Sequence, residues 1–197
     1  MCTTDRRTLI VDAAIDQIAR QGLRALTHRA LDTALELPAG SASYYFRTKR
    51  ALIEAIVDRI TTRSRDDFTA AQLAPTGPID PDATAAGIAV WLDHLVAERR
   101  NQLIARHTLI LDLLSDPELH TRLARSLFSA ERARELFHAM GIPDPATAAA
   151  AADFIALLEG AVFDRLAGNR AELTPGTPES VRQFATLLTI YLRGVIA

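Results

Sequence analysis

The chain has 197 residues, of which 49% are hydrophobic, and this length and composition exclude a disordered chain and allow one sizeable core. Its single cysteine, Cys2, excludes an internal disulfide framework, and the absence of a signal peptide or an apolar run of about 20 residues predicts a cytoplasmic protein that does not enter a membrane. The formal net charge is only −2, but it is unevenly distributed. Residues 1–65 carry 11 Arg or Lys and 7 Asp or Glu, whereas residues 66–197 carry 11 Arg or Lys and 17 Asp or Glu. The basic N-terminal third is therefore the part expected to bind a polyanion.

The first third of the chain shows four segments with apolar residues at helical spacing. The first segment predicts a helix that ends at Gly22, where a glycine cap is common. The second begins after Thr27, a plausible N-cap, and a very short third helix covers about Pro38 to Tyr45. Thr48 can cap the fourth. Three short helices joined by tight turns indicate a helix-turn-helix unit.

The remainder is also helical in pattern. Residues 73–82 contain three prolines and one glycine and predict a break. Two helices are predicted before Pro117, and a third from Pro117 to about Met140. Two C-terminal helices are predicted at about Ala146 to Ala167 and Pro178 to Ile196. No run of alternating β-branched residues indicates a sheet, so the predicted fold class is all-α with about nine helices.

The residue types in the helix-turn-helix segment, about residues 27–46, suit DNA contacts. Arg29 is the best candidate for a bidentate contact to guanine, with His28 beside it as a weaker one. Small residues at the start of the third helix permit close approach to bases, and two tyrosines at its end suit phosphate and sugar contacts. Lys49 would lie at the N-terminus of the fourth helix, where the backbone already attracts an anion. The alternative is that the tyrosines serve packing and the arginine is a solvated surface charge.

Residues 6–56 resemble the N-terminal domain of the TetR family of bacterial transcriptional regulators. The resemblance rests on Gly22, on Leu26-Thr27-His28-Arg29, on Gly40-Ser41-Ala42-Ser43-Tyr44-Tyr45-Phe46, and on Thr48-Lys49 followed by Leu52. It covers about a quarter of the chain and is specific in order and spacing.

The resemblance implies a DNA-binding role for ten residues and a core position for Phe46. The ten residues are Thr27, His28, Arg29, Ala39, Gly40, Ser41, Ser43, Tyr44, Tyr45 and Lys49. Two positions depart from the family pattern. Glu36 occupies the turn position where a glycine is usual, so it either adopts a strained conformation or the turn differs. Ser43 replaces a frequent tyrosine.

The resemblance also implies that different segments of the chain have different functions. Residues 1–47 would bind DNA, residues 48–72 would form a connecting helix, and residues 73–197 would bind an effector and form the dimer. The implied function is that of a homodimeric repressor that binds a palindromic double-stranded DNA operator and is released by an unidentified small, apolar effector.

A homodimer is also indicated by the last two predicted helices. The first of them is rich in small residues, which permit close helix approach, and the second carries more apolar surface than one core-facing stripe needs. The alternative is ordinary internal packing. The predicted interface residues are Phe154, Leu158, Ala161, Val162, Phe184, Leu188, Tyr191 and Val195.

The effector pocket is expected among the helices that follow the break. Its candidate residues are Trp91, His94, Arg106, His107, Ile110 and Phe154. Arg106 and His107 lie in an otherwise apolar helix, where they could orient a ligand or pair with Asp112, Glu159 or the backbone.

Two other classes of function are an enzyme and an interaction module. The enzyme hypothesis lacks support because the sequence has no glycine-rich phosphate loop, no nucleophile with a credible base and no paired carboxylates in a defined motif. Cofactors and metals are not expected, since the five histidines show no metal-ligand spacing. The third hypothesis is an all-α interaction module whose helix-turn-helix has lost DNA binding, for which Glu36 and Ser43 are the motivating residues.

Overall fold

The computed structural model describes residues 5–71, 73 and 79–196, so Cys2 and much of the predicted break at residues 73–82 lie outside the description. These residues form ten α-helices and one short 3₁₀ helix, and no strand occurs among them. The α-helices are α1 (Arg6–Gln21), α2 (His28–Ala34), α3 (Ser41–Tyr45), α4 (Lys49–Ala70), α5 (Pro81–Glu98), α6 (Arg100–Asp112), α7 (Pro117–Ala124), α8 (Ala130–Ala139), α9 (Ala146–Ala167) and α10 (Pro178–Ile196). The predicted all-α fold class is confirmed.

The predicted helix ends in the N-terminal third follow local chemistry. Gly22 ends α1 with a φ of 77°, a conformation that glycine adopts without strain. The hydroxyl of Thr27 accepts a hydrogen bond from the backbone N–H of Ala30 at 3.1 Å and so caps α2. The hydroxyl of Thr48 accepts from the N–H of Ala51 at 3.1 Å in the same way, at the start of α4. Both predicted caps are therefore confirmed.

The single helix predicted from Pro117 to Met140 is wrong, because the chain forms α7 and α8 instead. Arg106 of α6 is 1% exposed and donates to the carbonyls of Leu123 and Ala124 at 3.3 and 2.9 Å. These carbonyls at the end of α7 therefore have a side-chain partner. Ser129 then starts α8, since its hydroxyl accepts a backbone N–H three residues on at 3.2 Å.

The chain divides into two compact units. Unit 1 contains Met1–Asp66 and Asn101–Leu127, and unit 2 contains Asp67–Arg100 and Phe128–Ala197. The chain therefore passes between units three times. These units differ from the predicted functional segments, because residues of α6 and α7 pack into the core of unit 1. The functional assignment of the three segments stays a prediction.

Unit 1 is held by an apolar core and by an ion pair between α1 and α4. The core joins residues from α1, α2, α3, α4, α6 and α7, with Ile10, Leu31 and Ile56 at 0% exposure. The carboxylate of Asp12 accepts two hydrogen bonds from Arg59, each 3.0 Å long. This two-point geometry fixes the rotation of α4 against α1.

Unit 2 pairs α5 with α10 and α8 with α9. Two buried charged residues make hydrogen bonds to the segment between α9 and α10 and to the start of α10. Asp93 of α5 accepts the N–H of Gly176 at 2.8 Å and the hydroxyl of Ser180. Arg165 of α9 donates to the carbonyl of Leu173 at 2.7 Å. Burial lowers the pKa of the Arg165 guanidinium, and the Asp93 carboxylate opposes that shift.

One described helix, α9, is long and apolar enough by length and composition alone to cross a membrane. Its apolar stripe is buried within unit 2, with Phe154 at 3%, Leu158 at 4% and Val162 at 0% exposure. A helix that packs in a protein core has the same length and composition, and α9 packs in this way.

Candidate nucleic-acid interface and candidate ligand pocket

The short helix α3 is positioned by Asp32, a buried residue of α2. One carboxylate oxygen accepts the N–H of Gly40 at 2.8 Å and the other accepts the N–H of Ala42 at 2.7 Å. Helix N-termini leave such donors without intrahelical partners, and a five-residue helix has little stability of its own. Asp32 therefore both forms the start of α3 and fixes its orientation against α2.

Sequence reasoning missed this role of Asp32. The available signal was an acidic residue directly after the apolar Leu31 on a helix that faces the core, since a buried carboxylate needs donors. The donors come from residues 8 and 10 positions later in the chain, a separation that helical periodicity does not reveal.

The turn between α2 and α3 contains two residues with positive φ. Gly40 has a φ of 90°, and Glu36 is the one non-glycine residue with positive φ among the described residues, at 53°. The sequence left two conformations open for Glu36, and the chain adopts the strained one. Such a conformation costs a side chain about 1–2 kcal/mol relative to the ordinary helical region.

The inner face of α3 is anchored in the core of unit 1. Ala42 is 0% exposed and Phe46, which follows the helix, is 1% exposed. The guanidinium of Arg7 in α1 lies 4.5 Å from the centre of the Phe46 ring. The predicted core position of Phe46 is confirmed. The outer face is accessible, and Tyr44 is 80% exposed.

The ten predicted DNA-contacting residues all remain at least partly accessible. Thr27, Arg29, Ala39, Gly40, Ser43, Tyr44 and Lys49 are exposed, and His28, Ser41 and Tyr45 are half-buried. The Nε2 atom of the His28 ring is buried, and no hydrogen-bond partner for it exists among the residues described. This atom cannot reach a base unless the ring moves.

Several of these side chains bond within the protein. Ser41 donates to the carbonyl of Pro38 at 2.6 Å, and Ser43 donates to the carbonyl of Gly40 at 2.8 Å. Both hydroxyls must rotate before they can donate to a phosphate. The ammonium of Lys49 donates to the carbonyl of Leu23 at 3.2 Å and has two further N–H groups.

The six predicted pocket residues are not brought together. Arg106, His107 and Ile110 belong to unit 1, where Arg106 donates to backbone carbonyls and His107 Nδ1 lies 2.8 Å from the carbonyl oxygen of Leu103. His94 is exposed and, together with Trp91, lines a second hollow in unit 2.

Trp91 and Phe154 do line a common cavity of about 80 Å³ in unit 2. Among the described residues, twelve further ones line it that the sequence had not assigned to the pocket. They are Phe68, Leu73, Thr84, Ile88, Phe128, Ser129, Arg132, Ala133, Glu135, Leu136, Ile155 and Leu158.

Six of the eight predicted dimer residues lie inside unit 2. Phe154, Leu158, Ala161, Val162, Phe184 and Leu188 are each at most 7% exposed. Only Tyr191 and Val195 of the predicted set retain accessible surface for a second chain. The reason is that helical spacing identifies an apolar stripe but not whether it faces the chain's own core. Large apolar side chains that are exposed on α9 and α10 include Phe163, at 50%, and Ile190, at 67%.

Both parts of the chain match family models. Residues 10–56 match the model described as bacterial regulatory proteins, tetR family. Residues 79–194, more than half of the chain, match the model described as tetracyclin repressor-like, C-terminal domain.

Individual relatives cover almost the whole chain. The chain is 27% identical over 207 residues to the HTH-type transcriptional regulator BetI of Cronobacter sakazakii (strain ATCC BAA-894), a match that covers 98% of this chain and 91% of BetI. It is 26% identical to a TetR-family member from Streptomyces coelicolor A3, SCO1917, with a TM-score of 0.67 and coverage of 94% and 98%. It is 25% identical to the multidrug binding protein EbrR in complex with malachite green, with a TM-score of 0.65 and coverage of 95% and 98%.

Proposed function

The chain belongs to the tetR family of bacterial regulatory proteins, and from this premise we propose that it is a homodimeric transcriptional repressor of the cytoplasm. Two copies of α3 would read a palindromic operator, and a small molecule bound in unit 2 would release the DNA. The observation that carries the proposal is the pair of hydrogen bonds from the N–H groups of Gly40 and Ala42 to the buried Asp32 carboxylate, here called the Asp32 clamp. The clamp holds a short helix whose outer face is accessible. Such a helix suits insertion into the major groove.

The contacts to DNA are proposed from the accessible side chains around α3. Arg29 is exposed on α2 and has the fork geometry that pairs with guanine. Tyr44, which is 80% exposed, and Lys49 are proposed to contact phosphates. Phosphate contacts make affinity fall with salt, so the proposal predicts strongly salt-dependent binding.

The dimer is proposed to form through the exposed surface of α9 and α10, with Phe163 and Ile190 as its large apolar side chains. Gly160 and Gly194 support the same surface, since a Cβ added at either glycine would meet nothing within 4 Å in the chain. They leave room for close approach by a second chain. A two-fold axis would pair each of these surfaces with itself.

The effector is proposed to bind in the cavity of unit 2. EbrR, a relative, has been crystallised with malachite green and with ethidium. The aromatic side chains that line the cavity of this chain support an aromatic effector here as well. Phe68, Trp91, Phe128 and Phe154 all belong to its lining.

Selection of bound duplexes from a random DNA library would test the proposal. The purified chain should enrich duplexes that contain an inverted repeat. In footprinting, the bound chain should protect both halves of that repeat. Arg29→Ala should reduce affinity for that repeat at least tenfold, because a bidentate contact to guanine contributes about 1–3 kcal/mol. Arg134→Ala, which removes the same charge from an exposed position in unit 2, is the matched control and should bind as the unchanged chain does.

Two results would count against this proposal. Failure to enrich any inverted repeat at moderate salt would overturn operator binding. Equal affinity of the Arg29→Ala variant and the unchanged chain would favour the interaction module with a degenerate helix-turn-helix.

A further inference from the structure

The cavity of unit 2 contains an aromatic cluster centred on Trp91. The Phe68 and Phe128 rings lie edge-to-face against the Trp91 ring, with centroid distances of 5.6 and 5.8 Å. The electrostatic potential of an aromatic ring is positive at its edge and negative at its face. The cluster can therefore present both ring edges and ring faces to a third flat aromatic ring. The lining thus favours a planar aromatic ligand over a branched aliphatic one.

Trp91, which lines this cavity, carries a buried indole N–H. Trp91 is 6% exposed, and its Nε1 atom is buried without a hydrogen-bond partner among the residues that the structure describes. Buried tryptophan N–H groups usually have a partner, because an unpaired buried donor costs about 1–3 kcal/mol. A ligand with an acceptor atom would remove that cost.

The charged residues of the lining neutralise each other. Arg132 and Glu135 are three residues apart on α8, and their side chains form an ion pair with an N–O distance of 2.8 Å. Both side chains are about half exposed, so they lie where water reaches them. The other described side chains of the lining are uncharged. This arrangement favours a ligand without a net charge.

From these observations we propose that the cavity binds an uncharged, planar aromatic molecule that accepts a hydrogen bond from the Trp91 indole N–H. The inference deepens the proposed function and rests on it, since it names the chemical class of the effector. The cavity volume of about 80 Å³ is smaller than the roughly 300–1,000 Å³ usual for ligand pockets. Binding must therefore displace some of the lining side chains.

A matched pair of probes tests the hydrogen bond. 9-Fluorenone and fluorene share one planar tricyclic skeleton, and only fluorenone carries a carbonyl acceptor. Equilibrium dialysis against the full chain should give about tenfold tighter binding of fluorenone, the difference that one neutral hydrogen bond to a buried donor makes. Trp91 is the chain's single tryptophan, so quenching of its emission reports a probe bound near Trp91.

Two variants separate the N–H group from the aromatic surface. Trp91→Phe keeps an aromatic ring and removes the donor, so the preference for fluorenone should fall to about one. Phe128→Leu keeps the donor and removes aromatic surface, so both probes should bind more weakly while the preference is retained. Circular dichroism melting curves confirm that each variant is folded. Trp91→Phe tests the hydrogen bond, and Phe128→Leu tests the aromatic surface.

The inference is overturned by equal affinity for the two probes, by a preference that survives in Trp91→Phe, or by binding of neither probe. Tighter binding of the cationic dye ethidium than of fluorenone would also overturn it. These measurements contain no DNA. A chain that enriches an operator but does not distinguish the probes contradicts this inference alone, and a chain that distinguishes the probes but binds no operator contradicts the proposed repressor function.

Discussion

The carboxylate of Asp32 in α2 accepts the backbone N–H of Ala42 in α3 at 2.7 Å, with a second bond to the preceding turn at 2.8 Å. The Asp32→Ala variant leaves two donors at the start of α3 without this partner. We expect the free energy of unfolding, measured by urea denaturation, to fall by about 2–4 kcal/mol. The affinity for the operator should fall by a larger fraction than the free energy of unfolding.

Asp66→Ala is the matched control, because it removes the same side chain from an exposed position. It should change the urea midpoint little. An Asp32→Ala variant as stable as Asp66→Ala would show that the clamp does not hold α3.

Glu36 is the second target, since its φ of 53° is strained for a side chain. Glu36→Gly should relieve about 1–2 kcal/mol of strain. It also gives the unfolded chain more freedom, which offsets about 0.4–1 kcal/mol, so we expect a net gain of about 0.5–1 kcal/mol. Glu36→Gln keeps the strain and removes only the charge. Thermal unfolding should therefore show a higher Tm for the glycine variant and not for the glutamine variant; an equal rise in both would assign the effect to charge.

Lys49 tests the phosphate contacts through salt dependence. In the proposed dimer, Lys49→Ala removes two cations from the operator interface, one from each chain. The slope of log K against log salt should therefore fall by about two, while the preference among operator sequences stays the same. Fluorescence anisotropy at several salt concentrations measures this slope. Arg134→Ala should leave it unchanged, and an unaltered slope in Lys49→Ala would place Lys49 away from the DNA.

Gly160 tests the proposed dimer surface. A Cβ added there meets no neighbouring segment within 4 Å, and Gly160 is exposed, so Gly160→Leu should preserve the fold of the monomer. It should raise the dimer dissociation constant at least tenfold by blocking close approach of a second chain. Sedimentation equilibrium gives this constant, and Ala139→Leu, on the exposed side of α8, is the matched control. Dimers of equal strength in both variants would exclude Gly160 from the interface.

The features of the N-terminal third that could be predicted from sequence depend on neighbours in the chain. The caps at Thr27 and Thr48 bond to N–H groups three residues away. For each cap, one short window of sequence contains both the donor and the acceptor. The buried position of Phe46, by contrast, is implied by the family resemblance and not by periodicity.

The features that could not be predicted depend on distant residues. The break between α7 and α8 follows from Arg106, whose backbone acceptors lie 17 and 18 positions later. The clamp of Asp32 is likewise long-range. The sequence shows apolar stripes that contain Leu158 in α9 and Leu188 in α10, but their burial inside one chain depends on packing that periodicity does not specify.

The two-segment construction of unit 1 has a consequence for the exchange of DNA specificity between relatives. Leu109 of α6 and Leu123 of α7 are 0% exposed and belong to the same apolar core as Ile10 and Leu31. A chimera that exchanges only residues 1–66 would join one protein's DNA-contacting residues to another protein's α6 and α7, whose side chains evolved against different partners. Recombination that preserves folding should therefore transfer residues 101–127 as well, so the proposed operator preference of this protein would be inherited together with a segment distant in the gene.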